Sequence, residues 1–312
     1  MSFIKEKVHS DTNQFFQNEE TKKLLSRSLA YLKAGYPVHY TGPAGTGKTT
    51  LALALAKKKK RPIMLIHGNH ELNNRDLIGD FTGYTSKKVV DQYIRTVYKK
   101  DESVTETWKN GRLLEAAING YTLIYDEFTR STAAANNIFL SILEEGVIPL
   151  YGMKATKPFE RVHPSFSIIF TSNPVEYAGV FQAQDALWDR LITIPIPHQN
   201  AEQESAIVAK TCDISRRDAT VITSIVSKLR ESCKEADRYG PSLRTSLMIG
   251  QLAAREDIVI DGSDKAFQQL CQDMLKFTLS RCLDSDNAME KAEKLILHTC
   301  ENTESQKGKE KK

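Results

Sequence analysis

Gly42-Pro43-Ala44-Gly45-Thr46-Gly47-Lys48-Thr49 is a complete G-x-x-x-x-G-K-[ST] loop. It stands between the apolar-leaning Tyr36-Pro37-Val38-His39-Tyr40 and the helix-forming run Thr50-Leu51-Ala52-Leu53-Ala54-Leu55-Ala56. A strand before such a loop and a helix after it give the pattern physical meaning. Glycines let successive backbone N–H groups turn inward around a triphosphate, and the helix start adds the positive end of its dipole. The spacing predicts a nucleotide cradle made of Gly42, Pro43, Ala44, Gly45, Thr46, Gly47, Lys48, Thr49 and Thr50. Lys48 would reach the outer phosphates, and the Thr49 hydroxyl would ligate Mg²⁺.

Outward from the loop, short continuous apolar runs recur: Pro62 to His67, Tyr121 to Tyr125, Phe166 to Thr171 and Leu191 to Ile194. Runs of this length without alternation are expected of parallel strands buried on both faces. With helical stretches between them they predict an α/β fold, a parallel sheet sandwiched by helices. Residues 12–35 carry helical spacing and lead into the first strand, and a β-hairpin is expected at about 146–164. Beyond Pro195-Ile196-Pro197 the periodicity is helical throughout, over 202–232, 242–256 and 265–300. The expected division is an α/β nucleotide-binding domain over 1–197, a smaller all-helical domain over 198–300 and a disordered Lys-rich tail over 301–312.

Composition excludes little beyond the extremes. The 312 residues are 26% charged and 40% hydrophobic, with a formal net charge of +4. No stretch approaches the ~18 apolar residues of a membrane span, and no secretory leader is visible. Five cysteines without a C-x-x-C pair predict reduced thiols in a cytoplasmic protein and no structural zinc. The run Lys57-Lys58-Lys59-Lys60-Arg61 reads as a solvated helix end, where cations complement the dipole; no glycine or aromatic interleaving points to nucleic acid.

Hydrolysis of an outer phosphate needs a metal, a positioned water and compensation for charge on the transferred phosphoryl group. Asp126-Glu127 follows the run Leu123-Ile124-Tyr125, at the carboxyl end of a parallel strand where α/β sheets place their ligands. Asp126 is expected to hold Mg²⁺, directly or through water, and Glu127 to polarise the attacking water. Asn173, after the next strand, could orient that water or merely cap a turn before Pro174. Arg190 could reach a neighbouring subunit's phosphate, or it could pair with Asp189 at the surface. His67 and His70 read as structural loop histidines, and Trp108 and Tyr121 as packing residues.

Phosphate loop, Asp-Glu, Asn and Asp-Arg in this order resemble the AAA+ ATPases. Trp108-Lys109-Asn110-Gly111-Arg112-Leu113, Asp126 to Arg130 and Leu140 to Gly146 are similar to the MoxR-type branch. Leu65-Ile66-His67-Gly68, Tyr125 to Ser131, Asn136-Asn137, and Val162 to Phe166 running on through Ile169 to Val180 are similar to the gas vesicle protein N family. The resemblance covers residues 15 to 195 closely and the helical part loosely.

It implies an AAA+ P-loop ATPase fold with a helical lid, ATP and Mg²⁺ as cofactors, and a ring homo-oligomer, typically a hexamer, that assembles or enlarges gas vesicles with other gas vesicle proteins. By the family's pattern Lys48 and Thr49 belong to Walker A, Asp126 and Glu127 to Walker B, Asn173 to sensor 1, Arg190 to the arginine finger and Arg244 to sensor 2. Arg238 and Arg255 compete for the last role, and Arg130 is a second candidate for a contact between subunits. Competing expectations are a general MoxR-type chaperone for metalloenzyme maturation and a nucleotide-gated scaffold with little turnover. A membrane or nucleic-acid partner is not expected.

Overall fold

The structure, a computed structural model, describes residues 19–88, 102–150, 158–173, 185–235, 240–283 and 287–304. In chain order the first part contains α1 (Glu19–Lys33), β1 (Val38–Thr41), α2 (Lys48–Lys58), β2 (Ile63–His67), α3 (Asn74–Ile78), β3 (Gly79–Lys88), β4 (Glu102–Asn110) and α4 (Arg112–Asn119). Then come β5 (Thr122–Asp126), α5 (Ala133–Asn136), α6 (Ile138–Glu144), β6 (Val147–Pro149), β7 (Phe159–Arg161), β8 (Ser167–Ser172), α7 (Asp185–Trp188) and β9 (Ile192–Pro195). Five of these strands form one parallel sheet in the order β2-β5-β8-β1-β9.

The apolar runs become strands because both faces are covered. Every residue of β5 and of β8 is buried. Leu123, Tyr125, Ile168 and Phe170 join Leu113, Phe128 and Phe139 in the main core. His39, fully buried in β1, ties three strands together: its ring nitrogens lie 2.8 Å from Ser172 Oγ in β8 and 3.0 Å from Thr193 Oγ1 in β9. Burial leaves the strands' polar residues few choices: in β5 and β8 they stand at the ends, Asp126, Thr171 and Ser172 at the carboxyl edge, Thr122 and Ser167 at the amino edge.

Between β2 and β5 the sequence suggested helix only. The structure instead inserts the antiparallel pair β3·β4 between α3 and α4. Polar and threonine-rich, β3 and β4 lack the apolar run used to find strands. Strands β6 and β7 pair antiparallel, Val147 opposite Arg161.

The remaining helices are α8 (Ala201–Cys212), α9 (Arg216–Glu235), α10 (Leu243–Arg255), α11 (Lys265–Ser280) and α12 (Ala288–Glu304). By contacts the chain divides at Pro195/Ile196 into a sheet-bearing unit, Leu25–Thr41 with Leu51–Pro195, and a helical unit. The helical unit also takes in the phosphate loop, Gly42–Thr50, and the described residues up to Leu24. Its own core holds Ile222, Leu229, Phe267, Leu275 and Ile296. Side-chain caps start three of these helices, Asn200 accepting from Gln203 N, Ser215 from Asp218 N and Asp264 from Phe267 N.

The segments read as helical are helical: 202–232 holds two helices, separated where Asp213 adopts a left-handed conformation, and 265–300 holds two. Two expectations need correction. Glu301–Glu304, assigned to a disordered tail, completes the last turn of α12, while residues 305–312 lie outside the described ones. Cys233 and Cys282, expected as reduced thiols, form a disulfide with Cα atoms 5.2 Å apart. Cys212, Cys271 and Cys300 are free and buried. The lead-in helix begins at Glu19, and residues 12–18 lie outside the described residues.

One ion pair is built into the helical unit. Arg230 grips Glu204 with two bonds of 2.8 and 3.0 Å and donates through Nε to Pro241 O at 2.7 Å. The two side chains are only 7% and 1% exposed. Removing one partner strands a buried charge, so Glu204→Ala is expected to destabilise the chain by about 3–5 kcal/mol in a urea titration.

Candidate nucleotide site

Within the sheet-bearing unit, Asp126 is the last residue of β5 and is buried, and the parallel register sets it beside His67 of β2. Thr171 of β8 organises this corner. Its hydroxyl donates to Asp126 Oδ1 at 2.5 Å and accepts from Glu127 N at 3.0 Å, fixing both acids from the neighbouring strand. His67 Nδ1 stands 3.4 Å from Asp126 Oδ2. His67 is thus the last residue of β2, beside the acidic corner.

Glu127 has φ 53°, a left-handed conformation that costs most side chains about 1–3 kcal/mol. The surroundings hold it there. A 3₁₀ turn, Phe128–Arg130, follows, with Arg130 N bonded to Glu127 O at 2.9 Å. Gly68 backs the turn so closely that a Cβ on it would lie 2.2 Å from Glu127 O. Asn136, buried on α5, donates to Phe128 O at 3.2 Å and accepts from the Tyr125 hydroxyl at 3.1 Å. Burial pushes Tyr125 up to about 12, so it stays a donor. The strained backbone turns the Glu127 side chain outward, where it is 41% exposed and pairs with Arg130 at 2.9 Å.

Asn173 directly follows β8, next to β5 in the sheet, and is buried. Arg190, expected to project or to pair with Asp189, is anchored otherwise: its guanidinium pairs with Glu144 at the end of α6 and donates to Ala186 O. The string Pro174 to Val180 lies outside the described residues.

Within the helical unit, the phosphate loop follows β1 and runs into α2. Gly42, Gly45 and Gly47 have φ of 150°, 74° and 85°. Gly45 is required twice over: a Cβ there would sit 2.3 Å from Ser242 Oγ, with Arg244 Cβ at 3.8 Å. Arg244, exposed at the start of α10, therefore lies beside the loop. Arg255 ends the same helix beside Glu256, and Arg238 lies outside the described residues. Lys48 is buried, its ammonium donating to Gly42 O at 2.8 Å and Pro43 O at 2.7 Å. Phosphate oxygens are stronger, charge-assisted acceptors than those carbonyls, and glycines without Cβ atoms leave the loop's N–H groups approachable. The loop residues fit a nucleotide's phosphates.

An AAA domain model of the dynein-related subfamily matches residues 37–191. A gas vesicle ATPase GvpN from Ancylobacter aquaticus is 42% identical over 84% of this chain and 73% of its own. The GvpN1 of Halobacterium salinarum is 35% identical over 92% and 81%. The chain belongs to the gas vesicle ATPase GvpN family. Among solved structures, NtrX from Brucella abortus in complex with ADP shares the fold, with a TM-score of 0.51 and 16% identity over 95% of this chain and 67% of that one. The protein is accordingly a nucleotide-binding AAA+ ATPase.

Sequence reasoning missed Thr171, Ser242, Glu144 and the role of Asn136. Thr171 sat inside an apolar run, and only the β5–β8 register reveals what it touches.

Two outcomes are expected. Thr171→Val keeps the shape and removes both bonds, so turnover falls ~10–100-fold with the fold intact, read by phosphate release and circular dichroism. Gly45→Ala forces a side chain onto Ser242 at positive φ, so ATP affinity drops at least ~10-fold by calorimetry.

Proposed function

We propose that this GvpN-family chain works as a ring-forming ATPase, typically a hexamer, that remodels or assembles components during gas vesicle formation or enlargement. The observation that carries the reading is the acidic corner: two carboxylates fixed by one threonine, in a chain whose relatives are named gas vesicle ATPases. A nucleotide-gated scaffold has no need of a second acid held at a strained backbone.

In this reading Lys48 draws charge from the outer phosphates, and Asp126 with the Thr49 hydroxyl holds Mg²⁺. Among the described residues no group of three or more His, Cys, Asp or Glu side chains could hold a metal unaided. That suits Mg²⁺, which takes one or two protein ligands and fills its octahedron with water and phosphate oxygens. Glu127 polarises the attacking water, Asn173 orients it, and Arg244 registers the nucleotide. Arg190, and secondarily Arg130, are the arginines offered to a neighbouring subunit. Both pair now with part-exposed carboxylates, contacts worth about 0–1 kcal/mol and readily exchanged.

No described helix is long and apolar enough to cross a membrane. The proposed setting is the cytoplasm, at the vesicle shell.

Glu127→Gln should bind ATP as tightly as the wild type and hydrolyse it at least ~10²-fold more slowly. Expressed in a gas-vesicle-forming host that lacks the gene, it should fail to restore vesicles where the wild type succeeds. Normal vesicles from the stalled enzyme would refute a role for hydrolysis. If Arg190 acts across the interface, inactive Arg190→Ala and Lys48→Ala chains should recover part of the activity when mixed, and no recovery at any ratio would count against it.

A further inference from the structure

The opposite, amino edge of the sheet carries a second built feature. A cavity of about 250 Å³ opens there, walled by Leu32, Pro37, Leu143, Val162, Phe166 and Ile168. Ser167, the first residue of β8, also lines it. Its hydroxyl is buried without a hydrogen-bond partner, although Ser167 is only 7% exposed. Tyr36 stands at the cavity with 58% of its surface in solvent.

Cations rim this cavity on contacts that can be traced. Lys59 donates to the carbonyl of Leu32, a wall residue, at 3.2 Å. Arg61 Nε donates to Gly120 O at 3.0 Å, and a Cβ on Gly120 would lie 2.8 Å from Arg61 Nη2 and 2.4 Å from His163 Nδ1. His163 is itself a lining residue, so Arg61 sits one residue's breadth from the opening. Burial, reinforced by the nearby charges of Lys33 and Arg61, lowers Lys59 below the ordinary lysine value. Three like charges near one another, Lys59 bonded to a wall residue and Arg61 next to His163, are more than a solvated helix end needs.

We propose that this edge is a docking site for an acidic segment of a partner protein that presents one bulky apolar anchor, the anchor entering the cavity and its acidic neighbours meeting Lys33, Lys59 and Arg61. Size selects the occupant. The volume falls below the ~300–1,000 Å³ of clefts that enclose small-molecule ligands and suits a single anchoring side chain. Charge selects the flanks, because an acidic segment relieves the crowding. An anchor with a polar tip, tyrosine or tryptophan, would also give the Ser167 hydroxyl its missing partner. Nucleic acid is the less apt occupant: phosphates would meet the cations, but bases stack on exposed aromatic platforms rather than enter a small apolar pocket. None of these residues is assigned above to nucleotide chemistry, so the proposal stands apart from the ATPase reading.

The test uses full-length protein and fluorescein-labelled twelve-residue peptides, each with one central Trp, Tyr or Leu flanked by Asp and Glu. Twins carry Ala for the anchor or Lys for the acids. At least one anchored acidic peptide should bind saturably by anisotropy, ~10-fold or more tightly than either twin, with affinity falling as salt rises. Arg61→Glu and Lys59→Glu should each weaken it ~10-fold, while ATP affinity stays at the wild-type value and shows the fold intact. Ser167→Ala should weaken the Tyr or Trp peptide without lowering the melting temperature, since the hydroxyl has no partner to lose. Bound peptide should slow amide exchange over residues 32–37 and 162–168. Equal binding of anchored and Ala peptides, indifference to Arg61→Glu, or tight binding of single-stranded DNA with no peptide binding would each overturn the assignment.

Discussion

A strand buried on both faces can carry polar side chains only where it ends, and that constraint governs the sheet-bearing unit. β5 and β8 are buried along their whole length, so Asp126, Thr171, Ser172 and Asn173 at the carboxyl edge each need a partner there; Thr171 serves Asp126, and Ser172 meets His39 and Thr41. Burying a carboxylate is costly, and the Thr171–Asp126 bond offsets part of that cost while it aims the acid. The same hydroxyl accepts from Glu127 N, so the strained turn is registered to the sheet through one atom. Fold and acidic corner are thus specified together.

Arg130 and Arg190 illustrate the converse. Each side chain is partly exposed and pairs with a carboxylate of its own chain, Glu127 and Glu144. Contacts this close to water contribute little to stability, so their partners can be changed at little cost. The buried Arg230–Glu204 pair, with three good hydrogen bonds, is of the other kind. Losing one partner there leaves a charge without solvent or counter-ion. Burial separates the arginine that holds the fold from those whose contacts face water.

What the sequence disclosed follows the same division. The phosphate loop, the four other sheet strands and the Asp126-Glu127 pair were legible because a short apolar run ending in polar residues has few other meanings in an α/β chain. The β3·β4 hairpin was not, since its alternating polar and threonine-rich residues carry no apolar signature. Thr171 was legible as a strand residue and illegible as the support for two acids, because that role depends on a register 45 residues away. His67 is legible as the end of a strand run, but its place beside Asp126 follows only from the β2–β5 pairing. The Cys233–Cys282 bridge joins residues 49 apart whose local sequences give no hint of each other. Local pattern reveals elements; which side chains meet is decided by the order of strands and helices.

That order also gives the sheet two unlike ends. β8 carries Thr171 at one and Ser167 at the other, four residues or about 13 Å apart along an extended strand. Thr171 is hydrogen-bonded on both sides, whereas Ser167 is buried with its hydroxyl unpaired. Folding alone would favour alanine at the second position, since an orphaned buried hydroxyl costs about 1–3 kcal/mol that an apolar side chain avoids. The cost at Ser167 has no return within the chain itself, and it stands beside an open cavity and a row of cations. Thr122 and Ser246 also bury hydroxyls without a partner, but Ser167 lines a cavity, where a ligand's polar group would balance the cost.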